Sequence, residues 1–320
     1  MLKLAQKAVA AALLAALPFT AQAADKSVKV TSIVEHPALD ATRDGIRDEL
    51  EAQGFKAGEG LRWEYQSAQG DTGTAAQIAR KFVGDRADVI VAIATPSAQA
   101  AVAAARGSIP VVFSAVTDPV AARLVKSWEE PGGNVTGVSD ALPLERHLDL
   151  AQEILPDLKR LGVLFNPGEV NSVSTVASLK EAAGARGIQV VEGSAPDTNS
   201  VLGAARSLVG RVDAIYIPTD NTVVSALEAV VKVGQDSKLP VLAADTASVP
   251  RGAIAAVGFD YYDVGRQTGK IVAEILRGKP AGEIPVQGIE TVTLSVNPAS
   301  AERMGVTLPE AVLSRAEVVQ

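Results

Sequence analysis

The side chains of this chain that could do chemistry are few. It has no cysteine and only two histidines, His36 and His147. That excludes disulfides, thiolate metal sites, iron–sulfur clusters and cysteine nucleophiles, and leaves too few imidazoles for a histidine-rich metal site. What remains is a series of short hydrogen-bonding segments. In the first half these are Glu35-His36-Pro37-Ala38-Leu39-Asp40, Thr95-Pro96-Ser97 and Ser114-Ala115-Val116-Thr117-Asp118-Pro119. In the second half they are Asn166-Pro167-Gly168-Glu169-Val170-Asn171-Ser172, Pro218-Thr219-Asp220-Asn221 and Asp245-Thr246. On one reading these residues only cap helix starts, satisfying free N–H groups for about 1 kcal/mol each. On the other, helix N-termini from two halves of the molecule face one cleft, where unpaired N–H groups and the helix dipole attract an anion. Thr95 and Ser97 would then hold a carboxylate, and Asp220 or Asp245 would pair with an ammonium. A zwitterionic amino acid needs both. Glu35 and His36 would add shape and hydrogen bonding beside it. Pro96, Ser114, Thr117, Asp118, Asn166, Asn171, Ser172, Thr219 and Asn221 share the same helix-start positions. Phe259-Asp260-Tyr261-Tyr262 is the one aromatic cluster in a chain only 4% aromatic. Phe259 and Tyr261 either pack in a core or hinge, or stack on a ligand.

Signatures of catalysis are missing. No Gly-x-Gly-x-x-Gly follows an apolar strand, no phosphate loop occurs (Gly265 and Gly269-Lys270 are too close together), and neither Gly-x-Ser-x-Gly nor His-Glu-x-x-His is found. A Ser-His-Asp triad would have to use His36 or His147. His147 reads as a solvated position on a helix carrying Leu144, Leu148, Ala151 and Leu155. Lysine and arginine number 30 against 37 acids, a net charge of -7, the wrong balance for gripping nucleic acid. The residues favour binding over catalysis, with no metal and no cofactor.

The elements that must position these segments alternate strand and helix. Val28 to Val34, Leu61 to Gln66, Val89 to Ile93 and Pro110 to Ser114 read as strands, with helices between them from about Leu39, through Ala75 to Val83, and from Thr95. The pattern restarts at Leu161, with strands at Gly162–Phe165, Gln189–Val191, Ala214–Ile217 and Pro240–Ala244 and a helix carrying Val223, Leu227, Val230 and Val231. The halves echo each other: Ala52-Gln53-Gly54-Phe55 resembles Ala185-Arg186-Gly187-Ile188, and Ile109-Pro110-Val111-Val112 resembles Leu239-Pro240-Val241-Leu242, about 130 residues on. The 320 residues, 47% hydrophobic, therefore predict two copies of one α/β unit, each a Rossmann-like lobe on a parallel sheet. In such sheets ligands bind beyond the carboxyl ends of the strands, where the polar segments fall.

Residues 1–23 read as a secretory signal peptide. Lys3 and Lys7 form the basic start, Ala8 to Phe19 the apolar run, and Ala21-Gln22-Ala23 the cleavage pattern. The run is shorter than the roughly 20 residues a membrane span needs. With no cysteine at the cleavage point there is no lipid anchor, so the expected product is a soluble protein of the periplasm.

At these segments the chain resembles the periplasmic substrate-binding proteins of ABC transporters, in the family that includes tryptophan- and other aromatic-amino-acid-binding proteins. The resemblance extends through Gly133-Asn134-Val135-Thr136-Gly137-Val138-Ser139 and Gly258-Phe259-Asp260-Tyr261-Tyr262 to Gly265. It implies the type I periplasmic-binding fold, a ligand held between two lobes by hinge closure, and a membrane permease that reads the closed form. It also implies three hinge crossings, near Ser139-Asp140, near Gly258 and near Val286 to Glu290, with the strand Thr291 to Val296 returning to the second lobe. The lobes would then comprise residues 24–139 with 259–287, and 140–258 with 288–320. The implied protein is a monomer that captures an aromatic or large hydrophobic amino acid and is not an enzyme. Another small solute (a branched aliphatic amino acid, a nucleoside or a sugar) or a sensory role would use the same pocket. The scarcity of tryptophan, only Trp63 and Trp128, weighs against a sugar.

Overall fold

The computed structural model describes residues 25–289 and 291–319. The leader assigned to residues 1–23 lies outside them. The first half runs β1 (Lys26–Ser32), α1 (Pro37–Ala52), β2 (Lys56–Ala57), β3 (Gly60–Ser67), α2 (Thr72–Gly84), β4 (Val89–Ile93), α3 (Thr95–Ala105), β5 (Val111–Ser114) and β6 (Val135–Gly137). The second runs α4 (Leu144–Ile154), β7 (Arg160–Phe165), α5 (Val170–Ala185), β8 (Gln189–Ser194), α6 (Val201–Leu208), β9 (Ala214–Ile217), α7 (Asn221–Ser225), α8 (Leu227–Ser237), β10 (Val241–Ala243) and β11 (Ala255–Gly258). α9 (Tyr261–Leu276), β12 (Thr293–Val296), α10 (Pro298–Arg303), α11 (Glu310–Leu313) and β13 (Glu317–Val318) complete the chain.

The strands form two sheets, ordered β2-β3-β1-β4-β5-β6 and β13-β12-β11-β10-β9-β7-β8. β4 is central in the first and buried along its whole length, as a continuous Val-Ile-Val-Ala-Ile run between two helical layers must be. Among the described residues every strand-to-strand pairing is parallel except that of β12 with β11, where Thr293 lies opposite Gly258. β11 ends at Gly258 and β12 starts beside it, so the returning strand runs back along the strand that left. Two large hydrophobic cores result, beside a small cluster of Ala243, Val249, Ala253 and Ala256. One joins Val28 and Phe113 to Val264 and Ile271 of α9; the other joins Leu148 and Ile215 to Val296 and Val312.

The chain passes from the first sheet to the second beyond β6, returns beyond β11, and passes again before β12. The first and third passages lie side by side: Ser139 N–H donates to the Gln287 carbonyl at 2.8 Å, and Gln287 N–H donates to Gly137 at 3.0 Å. The second passage delivers α9 onto α1 at very short range. A Cβ at Gly45 would lie 2.2 Å from the Tyr262 carbonyl oxygen, and one at Gly265 would lie 2.1 Å from that of Thr42.

Two local expectations need correction. The helix through Val223 and Val231 is broken at Ala226 into α7 and α8. His147 is not solvated: it lies on the buried face of α4, with Nδ1 2.6 Å from the Tyr216 hydroxyl. Its neighbours Leu148, Leu150 and Ala151 are equally buried, so the apolar face of α4 is wider than the Leu144–Leu148–Ala151–Leu155 stripe and takes in the ring. Burial pushes its pKa down to about 4, so the imidazole is neutral.

Candidate functional site

The carboxyl ends of both sheets face one another across a cleft. Ala94, after β4, and Ala115, after β5, turn the chain with φ of 71° and 53°, left-handed values that cost a non-glycine residue about 1–3 kcal/mol. Those turns bring the start of α3 and the 115–118 loop to the cleft. A narrow cavity lies between the halves. From the first half it is walled by His36, Ala38 and Leu39 at the start of α1, by Ala115 and Thr117, and by Tyr261 of α9. Asp140 reaches it from the first passage. Asn171 of α5, Thr219, Asp220, Asn221 and Val224 around α7, and Asp245 after β10 complete the wall.

Three of these residues are buried aspartates. Asp220 caps α7, with Oδ1 accepting Val223 N–H at 2.7 Å; Oδ2 accepts Asn166 N–H and the Ser172 hydroxyl, both at 2.6 Å. Asp245 accepts the N–H and hydroxyl of Ser248 at 2.9 and 2.6 Å. Asp140 accepts the Tyr261 hydroxyl at 2.7 Å and the Thr117 hydroxyl at 3.0 Å. Burial raises the pKa of all three, and for Asp220 the nearby Glu169 charge adds to burial to bring it to about 7. Glu169 is itself buried, and its two oxygens accept the N–H groups and side chains of Asn221 and Thr222. No lysine or arginine lines the cavity among the described residues. His36, its one other titratable nitrogen base, is held near pKa 3, largely by burial, and is neutral.

Unpartnered buried atoms complete the picture. The Asn171 Nδ2 donates to the Thr219 carbonyl at 3.1 Å and to Glu169 at 3.2 Å, which fixes the amide orientation. Its Oδ1 is buried with no partner, a free acceptor. His36 Nδ1 is likewise buried and unpartnered.

Of the residues expected from sequence, the cavity gathers His36, Thr117, Asn171, Thr219, Asp220, Asn221, Asp245 and Tyr261. Asn166 and Pro96 line a second, outer and larger space that shares Asn221 with the first. The rest stand elsewhere. Thr95 and Ser97 are buried in the first turn of α3, and their hydroxyls have no partner. Ser114 bonds Thr268 of α9 at 2.6 Å, Ser172 serves Asp220, and Phe259 is in the first core. Asp118 caps Ala121 and accepts the Ser174 hydroxyl across the cleft at 3.1 Å. Glu35 is exposed and accepts from Gln69 at 3.2 Å. Asp140 and Glu169 were not among the expected residues. Asp140 lies where the chain leaves β6 for the second sheet, and Glu169 sits in a segment rich in amides and hydroxyls; only the fold turns either inward.

The profile of a family described as ABC transporter substrate binding protein matches residues 27–320. A tyrosine-binding protein of Clostridioides difficile is 43% identical over 272 residues, 85% of this chain and 79% of its own. A Streptococcus pneumoniae ABC domain in complex with L-Trp is 35% identical with a TM-score of 0.89, covering 92% of this chain and 100% of that one. A ligand-free, open structure of a substrate-binding protein with adhesive properties from Clostridium difficile is 41% identical but has a TM-score of only 0.70, over 92% of this chain and 99% of that one. Solute-binding proteins at 14–16% identity share the fold alone, that of the type I periplasmic binding proteins. The chain belongs to the ABC transporter substrate-binding protein family.

Proposed function

We propose that this protein captures a free aromatic amino acid in the cavity between its two halves and delivers it, closed around the ligand, to the permease of an ABC importer. The observation that carries the reading is the wall of the cavity. Asp140, Asp220, Asp245 and the free Oδ1 of Asn171 are all acceptors, and no cationic side chain lines the cavity with them, the Arg251 charge reaching Asp245 from outside it. A buried carboxylate without a counter-charge is costly, and a ligand ammonium supplies both the charge and three donors. Leu39, Ala38, Val224 and the Tyr261 ring offer the apolar surface for the side chain. The names of the relatives, one tyrosine-binding and one bound to L-Trp, support an aromatic ligand.

Residues 24–139 with 259–287 and 140–258 with 288–320 act as the two lobes, hinged where Ser139, Gly258 and Gln287 carry the chain between sheets. The higher TM-score to the L-Trp complex than to the open structure, against the order of sequence identity, supports a closed conformer. Ligand contacts both lobes only when they are closed, so its binding favours closure. The protein works as a periplasmic monomer after removal of residues 1–23. The test is a thermal-shift screen of refolded, ligand-stripped protein against the amino acids, with sugars and nucleosides as controls. Ligand at about 100 times its Kd adds roughly 2.7 kcal/mol of stability. The expected response is selective for tyrosine, tryptophan or phenylalanine; a response confined to sugars or nucleosides contradicts it.

A further inference from the structure

The charge around the cleft is one-sided beyond the inner cavity as well. The outer space adjoins it at Asn221 and is walled by Asp71, Glu169 and Asp197, again with no lysine or arginine among the described residues. Its other polar lining is neutral: Gln69, Thr72, Asn166, Thr198, Thr222 and Ser225. Ile33, Val34, Pro96 and Pro196 give it apolar walls. An ammonium finds an ionic partner in this cleft, and a carboxylate finds none. The hydroxyls, amides and N–H groups that are present serve a neutral carbonyl as well as an anion, and a neutral group is not repelled by six acids. There is also room: the outer space is the larger of the two.

We propose that the cleft accepts aromatic amino acids extended at the carboxyl end, as amides or as short peptides whose first residue carries the ring and the free ammonium, with the appended residue in the outer space. The free ammonium is then the determinant that cannot be lost, and the free carboxylate is dispensable. This inference rests on the reading that the inner cavity holds an aromatic amino acid by its ammonium.

Calorimetric titration of the ligand-stripped protein tests it with L-tyrosine, L-tyrosinamide, Tyr-Gly, Gly-Tyr and 3-(4-hydroxyphenyl)propionate. Tyrosinamide and Tyr-Gly are expected within about tenfold of tyrosine in Kd, and Gly-Tyr and the deaminated acid at least about 100-fold weaker. Thr198→Trp, which intrudes on the outer space from an exposed position, is expected to weaken Tyr-Gly by at least about tenfold more than it weakens tyrosine. Binding of tyrosine with loss of both tyrosinamide and Tyr-Gly overturns the inference and leaves the amino-acid reading standing. Binding of Tyr-Gly without any free aromatic amino acid upholds the extension and overturns the amino-acid reading. Silence toward every probe overturns both.

Discussion

The hydroxyl of Tyr261 donates to Oδ2 of Asp140 at 2.7 Å, joining the residue that opens α9 after the second passage between sheets to the one that follows the first passage. The same carboxylate faces the cavity. One group thus touches two of the passages between the sheets and the cavity together. Tyr261→Phe removes the donor and keeps the ring. Hydrogen bonds to charged groups are worth about 1.5–3 kcal/mol, so tyrosine affinity is expected to fall roughly tenfold to 100-fold by calorimetry. Unchanged affinity would show that the link does not shape the closed state.

Binding is expected to depend on pH through Asp220. Its carboxyl, raised to about 7 by burial and by Glu169 from an ordinary 3.8, is protonated in part of the empty protein at neutral pH. An ammonium beside it favours the ionised form, so affinity rises with pH toward 7 and levels off above, by up to about tenfold per unit. Stability of the empty protein runs the opposite way. A carboxyl with a raised folded pKa contributes most below its unfolded pKa and loses that contribution as pH climbs through about 7. Melting of ligand-free protein between pH 5 and 8, compared with Asp220→Asn, reads this directly: the wild type declines more steeply, and parallel curves would refute the assignment.

The contact between α1 and α9 leaves no space for a methyl group. With the Gly265 position 2.1 Å from the Thr42 carbonyl oxygen, Gly265→Ala must push the helices apart. Overpacking of this kind costs about 1–3 kcal/mol or more, so a Tm several degrees lower is expected in a thermal melt. Gly184→Ala on α5, where nothing lies within 4 Å, is the control and is expected to hold or raise Tm.

Export is testable at the amino terminus. Mass spectrometry of the protein recovered from a periplasmic extract is expected to find a chain starting at Ala24. A chain starting at Met1 in that extract would refute the leader assigned from Lys3, Lys7 and the Ala21-Gln22-Ala23 pattern.

The alternation of strand and helix was legible because each central strand is a run such as Val89–Ile93, flanked by helices with one apolar face. The polar ends of those strands were legible too, and Asp220 and Asp245 stand where the pattern put them. What periodicity does not carry is direction beyond the helix start. Ser114 and Thr117 are three residues apart, yet one bonds α9 and the other Asp140. His147 shows the same limit: an imidazole among leucines on an amphipathic helix reads as solvated until Tyr216, 69 residues away, supplies its partner. Asp140 is hardest of all, because its burial depends on three passages of the chain meeting at one place.

Whether the ligand's ammonium end faces the aspartates is visible in a crystal structure of the protein with L-tyrosine. The tyrosine nitrogen is expected within about 3.2 Å of carboxylate oxygens of Asp140, Asp220 or Asp245, with its carboxylate turned toward the outer space. A ligand nitrogen directed away from all three, or a carboxylate seated among them, would contradict that orientation.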